Sequence, residues 1–582
     1  MDALKKLNKY FFHYKVRLLS GFLFILCSNA AQVYIPLLLK DSIDGLKENI
    51  SPDLIINYSL LIVGVALIGG FFRFLIRVTI IIVSRKIEFD LRSDFWEHLQ
   101  KLPTRFFQNN STGNLMAHAT NDISAVRMYI GPAVMYSVDT VSKFIIVIVL
   151  MILINPLLTL YALIPLPVLS FFVYKLSKKI HSKFTKIQEK FSELTTKAQE
   201  SFSGIRVVKS YVREENEITE FTKLSKDYLE RNMEKVKIQA LFAPILFLIT
   251  GLSVIIVIWF GGDMIITGKM TLGEIVAFVA YLSMLIWPVI AFGWTLNIIQ
   301  QASASMKRLL KIFAEVDEIE DNKNTNFEIQ KIKGTIEFDN VSFRYNENSP
   351  LILKNISFKV KQGETVAIIG HTGSGKTSLI NLIPRLFDTT SGKILIDGND
   401  VKEIPKKVLR KNIGLVTQET FLFSDTLLSN IAYGLENVDE KIVNDVSEIS
   451  QLKKDIVAFE KGYETVLGER GITLSGGQKQ RTCLARALAI NPKILILDDS
   501  FSAIDTNTEE EILKNLKYFM EERTSIIISH RISTVKNADN IIVLQDGEIY
   551  ESGTHNDLVK QNGIYADLYQ KQLLEEELEE ME

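Results

Sequence analysis

Cysteine is nearly absent. Cys27 and Cys483 are the only two in 582 residues, which excludes a disulfide framework and any cysteine-rich metal site. An excess of either charge is missing too. Lys plus Arg number 66 and Asp plus Glu 68, a formal −2, so no general attraction to nucleic acid is expected. The chain is not short of apolar residues: at 47% hydrophobic it can bury a large core, which excludes wholesale disorder. Charged residues make up 23%, ordinary for a soluble protein, yet the mean hydropathy is +0.15, high for one. Both facts hold if charge and apolar surface occupy different parts of the chain. At about 150 residues per domain the length leaves room for several.

The first half contains long stretches without a charged side chain. Between Arg17 and Lys40 lie 22 uncharged residues, between Asp53 and Arg73 another 19, and between Lys143 and Lys175 a run of 31. One helix spanning the last would reach roughly 46 Å at about 1.5 Å per residue, against a hydrocarbon core of about 30 Å. Asn155-Pro156 in its middle reads as a tight turn, so the run divides in two. The expected spans are 18–39, 54–84, 131–154, 157–175, 241–260 and 275–302, six in all. Buried helices of a soluble protein rarely reach about 20 uncharged residues, and six in one half do not fit that reading. A cleavable signal peptide is not expected, because the first run is too long and lacks a clear small-residue cleavage site.

Orientation follows from charge. Lys5, Lys6, Lys9, Lys15 and Arg17 place the amino terminus in the cytoplasm. The Lys- and Arg-rich segments 84–130 and 176–238 then face the cytoplasm as helical extensions, and the outer loops are short. The protein should therefore sit in the cytoplasmic membrane with its carboxyl-terminal half inside.

After Gln300 the composition changes. Residues 314–334 are polar and read as a linker, 335–570 as a second domain and 571–582 as an acidic tail, with the membrane domain at 1–313. TIEFDNVSFRY, ISFKV, ETVAIIG, KILIDG, NIGLVTQ, KILILDD, TSIIISH and NIIVLQDGEIY read as strands alternating with helices, an α/β pattern.

Gly370-His371-Thr372-Gly373-Ser374-Gly375-Lys376-Thr377 follows one apolar strand and opens a helix, the context that a phosphate-binding loop requires. Chance would place such a spacing in a chain of this length roughly 0.02 times. Its glycines let backbone amides wrap phosphates, Lys376 reaches the β/γ oxygens, and the Thr377 hydroxyl is a ligand for Mg²⁺. A second apolar strand ends in Asp498-Asp499. A carboxylate there suits Mg²⁺, although paired acids in a solvated loop look the same in sequence. Leu474-Ser475-Gly476-Gly477-Gln478 opens another helix, a second anion-binding terminus. One triphosphate does not need two cradles in one domain. A dimer in which each chain completes the other's site does.

Together these residues resemble the ATP-binding-cassette superfamily. The six-span half points to its exporters with fused membrane and nucleotide-binding domains, the B-family or multidrug and lipid-A-flippase type. The fold class implied is a six-helix transmembrane domain with long cytoplasmic extensions followed by an α/β P-loop ATPase. By the resemblance, Tyr345 stacks on adenine, Gln418 attends Mg²⁺ and the attacking water, Asp505 closes the D-loop after Ser502, and His530 contacts the γ-phosphate. Ser475, Gly476, Gly477 and Gln478 are the signature offered to the partner's ATP. Gly468-Glu469-Arg470-Gly471 is similar to the exporter-specific loop before it. Residues 111–127 and 204–221 look like the two cytoplasmic loops that transmit force. ATP and Mg²⁺ are the implied cofactors, and a second half-transporter the implied partner.

One residue departs from the pattern. Where these exporters usually carry Glu as general base, this chain has Asp499, one methylene shorter. That favours a heterodimer in which this chain carries the slow site, with a homodimer as the alternative. In the membrane half, Arg73 with Arg77 and Asp139 with Lys143 stand at i, i+4. They meet an anionic amphiphile, pair with one another, or lie where the helices extend into the cytosol, and the last two, structural readings are favoured. Trp294, with Tyr136, Trp287 and Phe292, either lines an aromatic cavity or takes the commoner role of interfacial anchor or helix packing. The expected function is ATP-driven export, or flipping between leaflets, of hydrophobic or amphiphilic substrates by alternating access among membrane lipids. An ATP-gated channel or regulatory membrane protein built on the same engine is the rival.

Overall fold

The computed structural model describes residues 2–48, 52–468, 471 and 473–581. They fall into two compact units, one of Met1–Gln100 with Thr112–Glu315, the other of Lys101–Ser111 with Val316–Glu582.

Among the described residues, six helices are long and apolar enough to cross a membrane, and they form the body of the first unit: α1 Lys15–Lys47, α2 Pro52–Lys101, α3 Thr112–Ile154, α4 Pro156–Ser203, α5 Glu214–Ile266 and α6 Leu272–Phe313. Asn155 separates α3 from α4. Its backbone is extended, its side chain accepts from Leu158 N at 3.0 Å, and Pro156 takes the first helical position, where no N–H is needed. Thr271 and Glu274 form a capping box at the start of α6, and the Asp44 carboxylate adds bonds to Thr271 Oγ1 (2.7 Å) and Gly273 N (3.0 Å).

The core of this unit gathers Val33, Val147, Leu158, Val257, Phe278 and Tyr281 from α1, α3, α4, α5 and α6. Tyr281 is fully buried and donates to the Val33 carbonyl at 3.0 Å. Leu60, Leu67, Phe71, Phe247 and Leu248 point outward and are more than half exposed. Such a surface is costly in water and ordinary against lipid. Helix α2 widens to a π-turn at Arg77–Ile81 and α3 at His118–Asp122 and Tyr129–Ala133, the last around Pro132, which lacks the N–H a regular turn requires.

The second unit holds two sheets. β1 (Ile336–Phe343), β2 (Leu353–Val360), β4 (Ser391–Ile396) and β5 (Asn399–Asp400) form an antiparallel sheet in the order β2-β1-β4-β5. The other runs β10-β9-β3-β8-β7-β6, with β3 Thr365–Ile369, β6 Ile413–Val416, β7 Ile494–Asp498, β8 Thr524–Ile528, β9 Asn540–Gln545 and β10 Glu548–Gly553. It is parallel from β9 to β6. Leu415, Ile496, Ile526, Val366 and Asn540 lie side by side across it. Every residue of β7 and β8 is buried, which explains why these strands read as continuous apolar runs rather than alternating ones. NIIVLQDGEIY is two strands, β9 and β10, reversed at Asp546-Gly547, where both φ values are positive.

The segment ahead of β1 is tied down. The Asp397 carboxylate accepts from the amides of Lys333 (2.6 Å), Gly334 (3.1 Å) and Thr335 (3.0 Å). Residues 101–111 belong to this unit through Arg105, which bonds Asn346 at 3.1 Å and pairs with Glu318 at 3.4 Å.

In the first unit one charge pair joins α3 to α6. Asp122 is 6% exposed and accepts from His118 Nδ1 at 2.6 Å, from Arg308 Nε at 3.0 Å, and from a second Arg308 nitrogen. Arg308→Ala should cost about 2 kcal/mol, the scale of a hydrogen bond to a charged group whose partner stays buried. It should lower the thermal midpoint in lipid nanodiscs, and Asp122→Asn in the same chain should recover part of that loss. An unchanged midpoint in the single variant contradicts this.

Candidate functional site

The carboxyl ends of β3, β6, β7 and β8 open on one crevice, where parallel sheets place ligands. A cleft of about 260 Å³ there is lined by Thr372, Gly373, Gly375, Lys376, Thr377, Gln418, Asp498, Asp499 and His530, among others. Residues far apart in sequence meet because their strands are neighbours.

The loop after β3 turns through backbone angles that favour glycine. Gly370 has φ +152°, and a Cβ there would stand 2.1 Å from the Leu544 carbonyl. Gly375, at φ +101°, starts α7 (Lys376–Leu382). Lys376 is 7% exposed, and its ammonium bonds the carbonyls of Gly370 (2.8 Å) and His371 (3.0 Å) across the loop. Burial pushes its pKa below the usual lysine range, against the pull of Asp498 and Asp499. Ser374 Oγ, in the same loop, is buried with no hydrogen-bond partner among the described residues. A cradle of glycines with a cation and an orphaned hydroxyl inside fits a polyphosphate.

Thr377 Oγ1 donates to Asp498 Oδ2 at 2.9 Å. Asp498 is 2% exposed; burial raises its pKa and the charge of Asp499 adds to the rise, while Thr377 and Lys376 oppose it. No cluster of three His, Cys, Asp or Glu side chains able to hold a metal occurs among the described residues. One carboxylate beside one hydroxyl is, however, the sparse donor set that Mg²⁺ takes when phosphates complete its shell.

Asp499 has φ +47°, in the left-handed region. Its amide donates to Ile528 O (2.9 Å), and its carbonyl accepts from Ser502 Oγ (3.2 Å) and Gln480 Nε2 (3.4 Å). Gln480, buried in α8 (Gly476–Ala489), also bonds Ser502 Oγ (2.9 Å) and the Ala503 amide (2.9 Å). It holds the whole turn after Asp499. No motif in the sequence marks it. Its only trace there is its place on the inner face of the helix, two residues beyond Gln478.

Other candidates lie outside the cleft. The Tyr345 hydroxyl stands 2.8 Å from Ser378 Oγ, and its ring meets Phe343 and Phe387 edge-on. Ser475 caps α8 in a capping box with Gln478, which also bonds Asp455 at 2.9 Å. Gly476 and Gly477 let the helix approach Ala503, where a Cβ would come to 3.2 and 2.9 Å. Asp505 caps α9 (Thr506–Met520) through Thr508 N at 2.9 Å. Glu469 and Arg470 fall outside the described residues.

In the membrane unit Lys143 pairs with Asp139 at 3.7 Å, and Arg73 bonds Gln32 at 3.2 Å. Arg77 opens the π-turn of α2. None of the four lines either of two neighbouring cavities. One, of about 670 Å³, is walled by Phe144, Ile145, Leu166, Phe292 and other mostly apolar residues. The other, of about 1040 Å³, includes Trp294 beside Lys178, His181 and Lys235. Tyr174, Ser177, Gly293 and Leu296 border both. Trp294 packs edge-on against Tyr136.

Comparison with known proteins agrees with both units. Residues 18–289 match the ABC transporter transmembrane region and residues 353–502 the ABC transporter family. The chain is 36% identical over 98% of its length to the probable multidrug resistance ABC transporter ATP-binding/permease protein YheI of Bacillus subtilis, covering 98% of it. It is 34% identical to the ATP-dependent lipid A-core flippase of Syntrophus aciditrophicus, over 100% of this chain and 96% of that one. Among solved structures, a bacterial Atm1-family ABC exporter with ATP bound superposes with a TM-score of 0.79 at 27% identity, covering 96% of this chain and 98% of that one.

The buried Asp498 has a measurable consequence. Its folded pKa lies above the unfolded value, so the charged form penalises the fold near neutral pH and the penalty fades as pH falls through the folded pKa. Asp498→Asn should therefore raise the thermal midpoint of the nucleotide-free protein at neutral pH. The difference from wild type should shrink in mildly acidic buffer. Scanning fluorimetry over a pH series reads both; a gap that does not change with pH rules the explanation out.

Proposed function

The chain belongs to the ABC transporters, its transmembrane and ATPase regions fused in one polypeptide, and from that premise we propose that it exports hydrophobic or amphiphilic molecules by alternating access. It is a multi-pass protein of the cytoplasmic membrane with its ATP-binding region in the cytoplasm, and it works as half of a dimer. The observation that carries the reading is the cleft in which Lys376, Thr377, Gln418, Asp498, Asp499 and His530 converge.

Lys376 binds the β/γ-phosphate oxygens of ATP, with the glycine loop donating its amides, and Tyr345 offers its ring to the adenine. Thr377, Asp498 and Gln418 would hold Mg²⁺, which neutralises phosphate charge when bound. Asp499 orients water and takes its proton; His530 bonds the γ-phosphate. Ser475, Gly476, Gly477 and Gln478 lie outside their own chain's cleft, which supports their serving the partner's ATP. The adjoining apolar and basic cavities of the membrane unit support an apolar or amphiphilic cargo.

The partner we propose is a second half-transporter with Glu at the position of Asp499. A carboxylate withdrawn by about 1 Å lowers a rate on the order of 10²-fold. Asp499→Glu should raise Mg²⁺-ATPase turnover at least about tenfold by that argument, and should cost about 1 kcal/mol of stability because the position is left-handed. Turnover in lipid nanodiscs, with stoichiometry by mass, tests this. An unchanged rate in the variant contradicts the slow base. Substantial turnover by a dimer of wild-type chains contradicts the heterodimer. ATP-driven uptake into inverted vesicles separates export from gating of a channel.

A further inference from the structure

The segment that carries His530 is held from two sides. On one, Ser529 Oγ accepts from Arg531 N at 3.0 Å and lies 3.3 Å from Thr534 Oγ1. Buried Glu509 of α9 takes Thr534 Oγ1 at 2.6 Å and pairs with Arg531. On the other side stands Gln572 of the last helix, α10 (Ile564–Met581). Its Oε1 accepts from Ile532 N at 2.7 Å, and its Nε2 donates to the His530 carbonyl. One amide side chain thus clasps the backbone on both sides of Arg531, and an amide can donate and accept from a single planar end.

The root of α10 is firm. Tyr565 is fully buried, and its hydroxyl lies 2.5 Å from His555 Nδ1. Glu551 of β10 accepts from the amides of Ile564 (2.6 Å) and Tyr565 (3.2 Å). Leu568, one turn before Gln572, walls a cavity of about 130 Å³ together with Gly370, Thr372 and His530. The helix therefore runs from the edge of the sheet to the wall of a cavity that shares Thr372 and His530 with the phosphate cleft. The His530 side chain is exposed at that wall, so its direction depends on the backbone that Gln572 grips.

We propose that Gln572 is a positioning residue for ATP hydrolysis, aiming His530 into the cleft through the His530 carbonyl and the Ile532 amide. The proposal rests on the reading of His530 given above. Its test is single-turnover ATP hydrolysis with protein in excess, on the full chain in lipid nanodiscs with any co-purifying partner, for Gln572→Ala, Gln572→Glu, His530→Ala and the Gln572→Ala/His530→Ala double variant. Gln572→Ala should slow the step about tenfold, the effect of a sub-ångström misplacement, and should leave the Kd for ATP within about twofold. Gln572→Glu keeps the acceptor for Ile532 but sets an oxygen against the His530 carbonyl, and should lose as much. It is near-isosteric and keeps the test open if the alanine variant does not assemble.

In the His530→Ala background, Gln572→Ala should cost nothing further, because the two act through one group. An equal loss in both backgrounds marks Gln572 as merely structural and overturns the proposal. A wild-type rate in both Gln572 variants beside an impaired His530→Ala also overturns it, and leaves the reading of His530 standing. A wild-type rate in His530→Ala removes that reading, and the proposal with it.

Discussion

A carboxylate at the tip of a fully buried strand is the constraint around which the ATP-binding unit is built. All five residues of β7 are buried, and the last is Asp498. Charge there is disfavoured by desolvation and by Asp499 beside it, and Thr377, Lys376 and His530 offset that cost within the chain only in part. Lys376, itself buried, spends two of its donors on the loop carbonyls of Gly370 and His371. The protein alone thus holds two buried ionic groups with incomplete compensation. A cation brought with a polyphosphate supplies what both lack, so ligand binding and local stability are linked.

The membrane unit solves a different problem with the same devices. Lipid offers no partner for a backbone group, so helix ends and bends must find theirs within the protein. Asn155 caps α4, and Thr271, Glu274 and Asp44 together satisfy the start of α6. Ionisable side chains on these helices are answered locally, Lys143 by Asp139 and Asp122 by Arg308 and His118. Apolar side chains such as Leu67 and Phe247 are left outward because their solvent is hydrocarbon.

What was legible in the sequence divides by range. The apolar runs announce six crossing helices, since no soluble core requires them at that length. The apolar strand ahead of Gly370 and the Lys-Thr pair behind Gly375 place a phosphate loop, because that chemistry is local in sequence. Convergence of Gln418, Asp499 and His530 with that loop is nonlocal, and entered through the family resemblance. The roles of Gln480 and Gln572 were invisible. Each is a common residue on a helix, and its meaning comes from backbone groups that only the folded chain brings near. Arg73 and Lys143 stand out as charges in apolar surroundings but line neither cavity; the walls include Phe292 and Trp294, two aromatics the sequence offers for that role, and Phe144, Lys178 and Lys235, which no spacing singles out.

The short acid at position 499 is consistent with its surroundings. Its amide is bonded to Ile528 O and its carbonyl to Ser502 and Gln480, which commits the backbone to the left-handed region. Asp is several-fold enriched there because its short side chain tolerates such a turn. A longer acid would reach further into the cleft and sit less easily on the same backbone. Reach and local conformational preference therefore oppose each other at this residue. A chain whose partner carries the faster base can settle the conflict in favour of the backbone, and one that hydrolyses alone has to settle it in favour of reach. The pairing with a Glu-bearing chain proposed above is the first of these solutions, and the acid just beyond β7, more than any residue of the membrane unit, is where the two can be told apart.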